Sequence, residues 1–169
     1  MNLKTHKWLL IFCLILAYSC RQADSPMPIP NADAAVLWGQ LTLKTMTKLP
    51  ANTPTYGSRA LGFMGLTMYE CVVNGSNQHQ SLAGQLSGLD KLPKPDKGAT
   101  YNWTVAMNAG QAVMLKSLYS YADKYRQYSI DSLEFEVLAQ ESKSTQRDVI
   151  DRSVAYGMPS SVPAGRCRP

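Results

Sequence analysis

The chain has 169 residues, a formal charge of +5, 45% hydrophobic residues and 17% charged residues. That length suits one domain and is short for two, and the apolar fraction is too high for a wholly disordered chain. Four cysteines and two histidines leave little material for a metal centre or a histidine-based catalyst. Collagen, coiled-coil and disulfide-scaffold compositions are excluded.

The N-terminus reads as an export signal. Lys4, His6 and Lys7 precede the uncharged apolar run Trp8–Leu16, and Ala17-Tyr18-Ser19 leads into Cys20. The run is too short for a permanent bilayer span, which needs about 20 residues, but it suits a secretory h-region. Small residues just ahead of a cysteine resemble a bacterial lipobox. Residues 1–19 are then a signal peptide, and Cys20 becomes an acylated N-terminus that holds the protein in the bacterial cell envelope, periplasm or outer membrane. The alternatives are an ordinary signal peptide with Cys20 as bystander and, after that, an uncleaved cytoplasmic hydrophobic N-terminus. Loss of Lys4 and Lys7 would lower the formal charge from +5 to +3. No dense Lys/Arg stripe remains, so nucleic acid is not expected as a partner. The membrane is the expected partner, through the lipid.

Residues 20–31, with Pro26, Pro28 and Pro30, form an extended tether. A helical domain is expected over 32–157 and an unstructured tail over 158–169, rich in Pro, Ser and Arg. The first helix is capped by Asn31 or Asp33 and runs to about Leu49, with Val36, Leu37, Leu41 and Leu43 towards one side. The second starts at Ser58 as N-cap and runs to Val73, its apolar stripe formed by Ala60, Leu61, Met64, Thr67, Met68, Cys71 and Val72. Cys71 in that stripe reads as a buried small hydrophobe rather than a disulfide partner of Cys167. Residues 74–100 are polar and broken by glycine and proline, a surface excursion with one short helical turn near Ser81–Leu89. The third helix spans about Tyr101–Tyr121. The fourth begins near Asp131, where Asp131 and Glu134 have capping-box spacing, and a solvated stretch from Gln140 to Asp148 marks a break. The expected fold is all-α, a bundle of about four helices. Gly62 and Gly65 of the second helix should meet Ala106 and Gly110 of the third at close approach.

The polar inventory is thin. His79, the one histidine beyond the signal, lies in the excursion and reads as a solvated side chain. No zinc ligand set, nucleophile elbow or Gly-rich phosphate loop is present. Ser58 and Arg59 could hold an anion at a helix start, or serve as a cap and a salt-bridging cation. Tyr119, Tyr121, Tyr125 and Tyr128 suit either a stacking surface or the core edges of a helix end.

One stretch carries a family resemblance. Trp38 and its helix, Pro54, Ser58-Arg59-Ala60-Leu61, Met64, Met68-Tyr69-Glu70 and Val73-Asn74-Gly75 resemble the N-terminal helices of vanadium-dependent haloperoxidases. Those enzymes are related to the type 2 phosphatidic acid phosphatases (PAP2 superfamily). Ala106–Leu118 and Ser153–Gly157 are similar to later helices of that family, so the resemblance covers about residues 33–157. Family members hold vanadate or phosphate with lysine, arginine and histidine motifs further along the chain, and none of these occurs here. The resemblance therefore implies no catalytic, metal or cofactor residue in this chain, and vanadate only for an intact relative. The expectation is a truncated or fragmentary relative, inactive alone, whose small-molecule substrate the residues do not reveal. The competing expectation is a non-enzymatic α-helical surface lipoprotein that acts as a binding module through residues 74–100.

Overall fold

The computed structural model describes residues 32–47, 49, 50 and 52–158. The expected signal peptide (1–19), Cys20, the expected tether to residue 31 and the expected tail from residue 159 onward lie outside the described residues. Among the described residues the fold is all-α, with five α-helices and no strand: α1 (Ala32–Met46), α2 (Pro54–Val72), α3 (Trp103–Leu118), α4 (Lys124–Glu141) and α5 (Arg147–Gly157). A single 3₁₀ turn, Val73–Gly75, extends α2.

The central element is α3. Every residue from Thr104 to Ala112 is buried, as are Met114, Leu115 and Leu118. It packs against α2, α4 and α5, and against α1 less extensively. A helix buried on nearly all sides needs small residues where its neighbours come closest. Ala106, Ala109, Gly110 and Ala112 supply them. Asn102 caps its start, its side-chain oxygen accepting the Val105 N–H at 3.1 Å.

Close approach runs through Gly110 and Ala106 of α3, as expected, but not through Gly62 and Gly65 of α2. Gly62 and Gly65 face open space, with no atom within 4 Å of an added Cβ. The tight contacts are at Gly110 and Gly157. A Cβ on Gly110 would lie 2.5 Å from Cys71 Sγ, and one on Gly157 would lie 2.0 Å from the Ala106 carbonyl oxygen. The physical reason is helix phase. The buried stripe of α2 is Gly57, Ala60, Met64, Thr67, Glu70 and Cys71, which turns Gly62 and Gly65 to solvent.

Several boundaries also differ from expectation. In α2 the helix begins at Pro54, whose ring suits the first helical position, with Thr53 as N-cap accepting the Tyr56 N–H at 3.3 Å. Ser58 is therefore one turn inside, donating its hydroxyl to the Pro54 carbonyl at 2.8 Å. In α4 the cap is Asp123, not Asp131. Asp131 and Glu134 instead clamp Lys116 of α3, each at 2.8 Å. The same three-residue spacing that suits a capping box also places two carboxylates beside one cation. The break expected between Gln140 and Asp148 is real and separates α4 from α5, so the bundle has five helices rather than about four. The first helix ends at Met46 rather than near Leu49, and the third covers Trp103–Leu118 rather than Tyr101–Tyr121.

The face of α1 that packs inward is Ala34, Trp38, Thr42 and Thr45. Val36, Leu37 and Leu43 are exposed, contrary to the expected apolar side. Trp38 decides this. Its ring is fully buried and its Nε1–H donates to Asn108 Oδ1 of α3 at 2.9 Å, which sets the rotation of the whole helix.

Replacing Gly157 by Ala should force α5 away from α3 and lower stability by about 1–3 kcal/mol. The same change at Gly65 should raise stability by about 0.5–1 kcal/mol, because the helix there has room for a methyl group. Urea unfolding of the two variants beside wild type checks both signs.

Candidate functional site

Residues 76–100 form an ordered excursion held down by a buried carboxylate. Glu70, on the inner stripe of α2, is 1% exposed. One oxygen accepts the Ser81 hydroxyl at 2.7 Å and the other accepts the Leu82 N–H at 2.7 Å. Ser81 Oγ in turn accepts the Ala83 N–H at 3.0 Å, and Tyr69 donates its hydroxyl to the Gln80 carbonyl at 2.8 Å. Gly84 and Gly88, both at positive φ, bend the following turn so that Leu89 returns to the core. The helical turn expected near Ser81–Leu89 is a set of hydrogen-bonded turns instead. Glu70 is thus committed to backbone organisation.

Asn74, Gly75, Tyr101, Trp103 and Tyr156 form a second organised region beside it. Tyr101 stacks on Trp103 with ring centroids 5.2 Å apart, and Tyr156 meets both rings edge-on. Asn74 donates to the Tyr156 hydroxyl at 2.8 Å. Gly75 lies against the Trp103 indole, where an added Cβ would come within 2.5 Å of Nε1. These residues join the end of α2 to α3 and α5.

The polar residues singled out from the sequence are dispersed. His79 is exposed, its Nδ1 within 2.8 Å of Ser76 Oγ in a local turn. Arg59 is exposed on α2, and Ser58 is not at the helix start, so the anion-binding arrangement considered for the pair does not form. The tyrosines divide. Tyr119 is fully buried, packs edge-on against Tyr56 at 5.9 Å and donates to Asn52 Oδ1 at 3.2 Å. Burial, with Tyr56 and Tyr121 beside it, pushes its hydroxyl well above the usual tyrosine range. Tyr125 and Tyr128 are exposed on α4.

An oxyanion such as vanadate needs several fixed cations directed at one point. Three of the described cations are committed to other partners. Arg126 pairs with Asp123 and also donates to the Thr47 carbonyl at 3.3 Å. Arg152 pairs with Asp148 at 3.5 Å and donates to the Thr100 carbonyl at 3.1 Å. Lys116 is held by Asp131 and Glu134. Burial alone would lower its affinity for the proton, but those two hydrogen-bonded carboxylates outweigh this and raise it. Each of these three cations serves its own helix junction, and the three do not converge on one point where vanadate would sit. Among the described residues no group of three or more His, Cys, Asp or Glu could hold a metal ion, and no helix is long and apolar enough to cross a membrane.

Among the described residues a shallow groove lies between α1 and α4. Leu37, Leu41 and Lys44 line one wall, and Tyr125, Tyr128 and Leu133 line the other. It continues past Glu136 to Gln140 at one end and to Asp123 and Arg126 at the other. Sequence reading found the tyrosines but not their α1 partners, because the apolar residues of α1 were assigned to the core. The polar core residues Asn102, Asn108 and Gln111 were also missed. Their only sequence signal is the presence of amides within a run of small and apolar residues.

No known protein family, no curated protein and no solved structure matches the chain.

Cys71 is a free, buried thiol whose pKa burial pushes up to about 12, with the adjacent Glu70 carboxylate adding to the rise. The unfolded thiol titrates near 9.0, so the unfolded chain loses its proton first. Stability from this group is therefore complete below about pH 9 and declines as pH rises toward 12, by at most about 1.4 kcal/mol per pH unit. Urea unfolding of wild type and Cys71→Ala across that window should show the shallower decline in the variant. Buried Tyr119 supplies a residual alkaline slope in both.

Proposed function

We propose that residues 32–157 are the N-terminal helical part of a fold of the haloperoxidase and type 2 phosphatidic acid phosphatase kind, carried by an exported and lipid-anchored protein. On this reading the chain holds no oxyanion pocket of its own and has no haloperoxidase or phosphatase activity by itself. One observation carries the proposal. Of the residues on which the resemblance rests, Ala60, Met64 and Glu70 lie on the buried stripe of a single helix, Ser58, Arg59 and Leu61 lie on its exposed side, and the helix ends in the Val73-Asn74-Gly75 turn. A motif that shapes a helix, its exit turn and its contacts is what a structural family signature is made of. The thin inventory of catalytic groups agrees with the absence of the family's Lys, Arg and His motifs from the sequence. General acid–base work needs a proton carrier placed beside the reacting group, and His79 in its exposed turn has no such setting.

A second reading, a non-enzymatic binding module, is favoured by the open α1/α4 groove. The excursion 74–100, where such contacts were expected, is instead drawn onto α2 by Glu70.

The purified chain should show neither halide oxidation nor phosphomonoester hydrolysis above background, with vanadate present or absent. Turnover that disappears in His79→Ala would overturn the proposal. The anchor has its own test. Labelled fatty acid fed to an expressing bacterium should enter the wild-type chain and fail to enter Cys20→Ser.

A further inference from the structure

The outer surfaces of α1 and α4 carry apolar side chains that the bundle does not cover. On α1, Val36, Leu37 and Leu43 are 55%, 44% and 54% exposed. On α4, Tyr125, Tyr128 and Phe135 are 70%, 69% and 70% exposed. Val36 and Leu43 are seven residues apart, as are Tyr128 and Phe135, so each pair shares one side of its helix. Leu37 and Tyr125 line the groove between the helices, which joins the two sides into one surface. Its charged residues are of both signs: Lys44 and Arg126 against Asp123 and Glu136. Tyrosine and phenylalanine exposed beside leucine, with lysine and arginine at the margin, suit the boundary between lipid headgroups and acyl chains.

Chain length supplies the second argument. Eleven residues, 21–31, separate Cys20 from the first residue of α1. At about 3.3–3.6 Å per residue they reach at most about 40 Å, and α1 is the element they lead into. A lipid on Cys20 would therefore keep the start of α1 within about 40 Å of the bilayer, and the exposed apolar side chains of α1 and α4 select the side that meets it.

We infer that the α1/α4 surface lies on the membrane, seating the anchored domain in the headgroup region of a lipid bilayer. The inference rests on the lipid-anchor reading above. Because the charges along the surface are mixed, seating depends on apolar contact and proceeds on zwitterionic lipid without a requirement for anionic headgroups.

The test uses the full chain purified from bacterial membranes and reconstituted into phosphatidylcholine vesicles with brominated acyl chains. Tryptophan is introduced at the exposed position Phe135→Trp or, as a control on α2, at Leu61→Trp. Trp38 and Trp103 are common to both variants. The added fluorescence of Phe135→Trp should be quenched at least two-fold more than that of Leu61→Trp, and 1 M salt should not reverse it. Equal quenching at the two positions in a chain that carries labelled fatty acid would overturn the inference and leave the anchor reading standing. Absence of label would remove the anchor reading separately. A Phe135→Trp signal that is shielded without lipid, in a chain that cross-links as a dimer, would assign the surface to a second copy and overturn the inference as well.

Discussion

The structure depends on how closely α2 and α5 can approach α3. At Gly110 and Gly157 there is no volume for a single additional carbon, and the atoms that would be struck are Cys71 Sγ and the Ala106 carbonyl. That contact fixes the axial position of α5 and turns the Thr67–Cys71 side of α2 inward. It also places Cys71 in a dry site where a thiolate is strongly disfavoured. Dense packing of this kind transmits any added volume, because a protein interior has few voids to absorb it.

Around that contact, polar side chains in the core act as connectors between helices. Asn108 receives the Trp38 indole N–H from α1 and donates to the Glu134 carbonyl of α4 at 2.9 Å. Gln111 donates to the Met64 carbonyl of α2 at 2.9 Å. Asn102 caps α3, donates to Glu141 and Thr145 at 2.8 and 2.9 Å, and receives α5 through a bond from its own N–H to Ser153 Oγ. Each bond adds about 1 kcal/mol when made and costs more when one partner is left alone. Such pairs select one packing of helices over its near alternatives. Two polar atoms, Thr45 Oγ1 and Gln111 Oε1, are buried without a hydrogen-bond partner among the described residues.

The same use of polar groups occupies several of the described charged side chains. Glu70, Lys116, Arg126 and Arg152 would be natural components of an anion or acid–base centre, and each is engaged in joining one segment to the next. The proposed relationship to the haloperoxidases concerns this framework of helices and its exit turn. The outer side of α1 and α4 leaves Val36, Leu37, Leu43, Tyr125, Tyr128 and Phe135 exposed among charged residues of both signs.

The sequence by itself determined the helical class, the position of the long excursion, the break near residue 144 and the burial of Cys71. These follow from local patterns: three- and four-residue periodicity, clusters of Gly and Pro, and a polar interruption between apolar sets. Tertiary structure decided which side of each helix faces inward. In α1 the choice lay between several leucines and one tryptophan, and Trp38 prevailed because only its ring had both a cavity and an amide partner on α3. In α2 the glycines were legible as small, but whether a neighbour lay beside them depended on helix phase. At Asp131 and Glu134 one spacing served two structures, and the presence of Lys116 across the interface selected between them. Spacing along a helix defines which residues can act together, whereas the partner they act upon comes from another part of the chain.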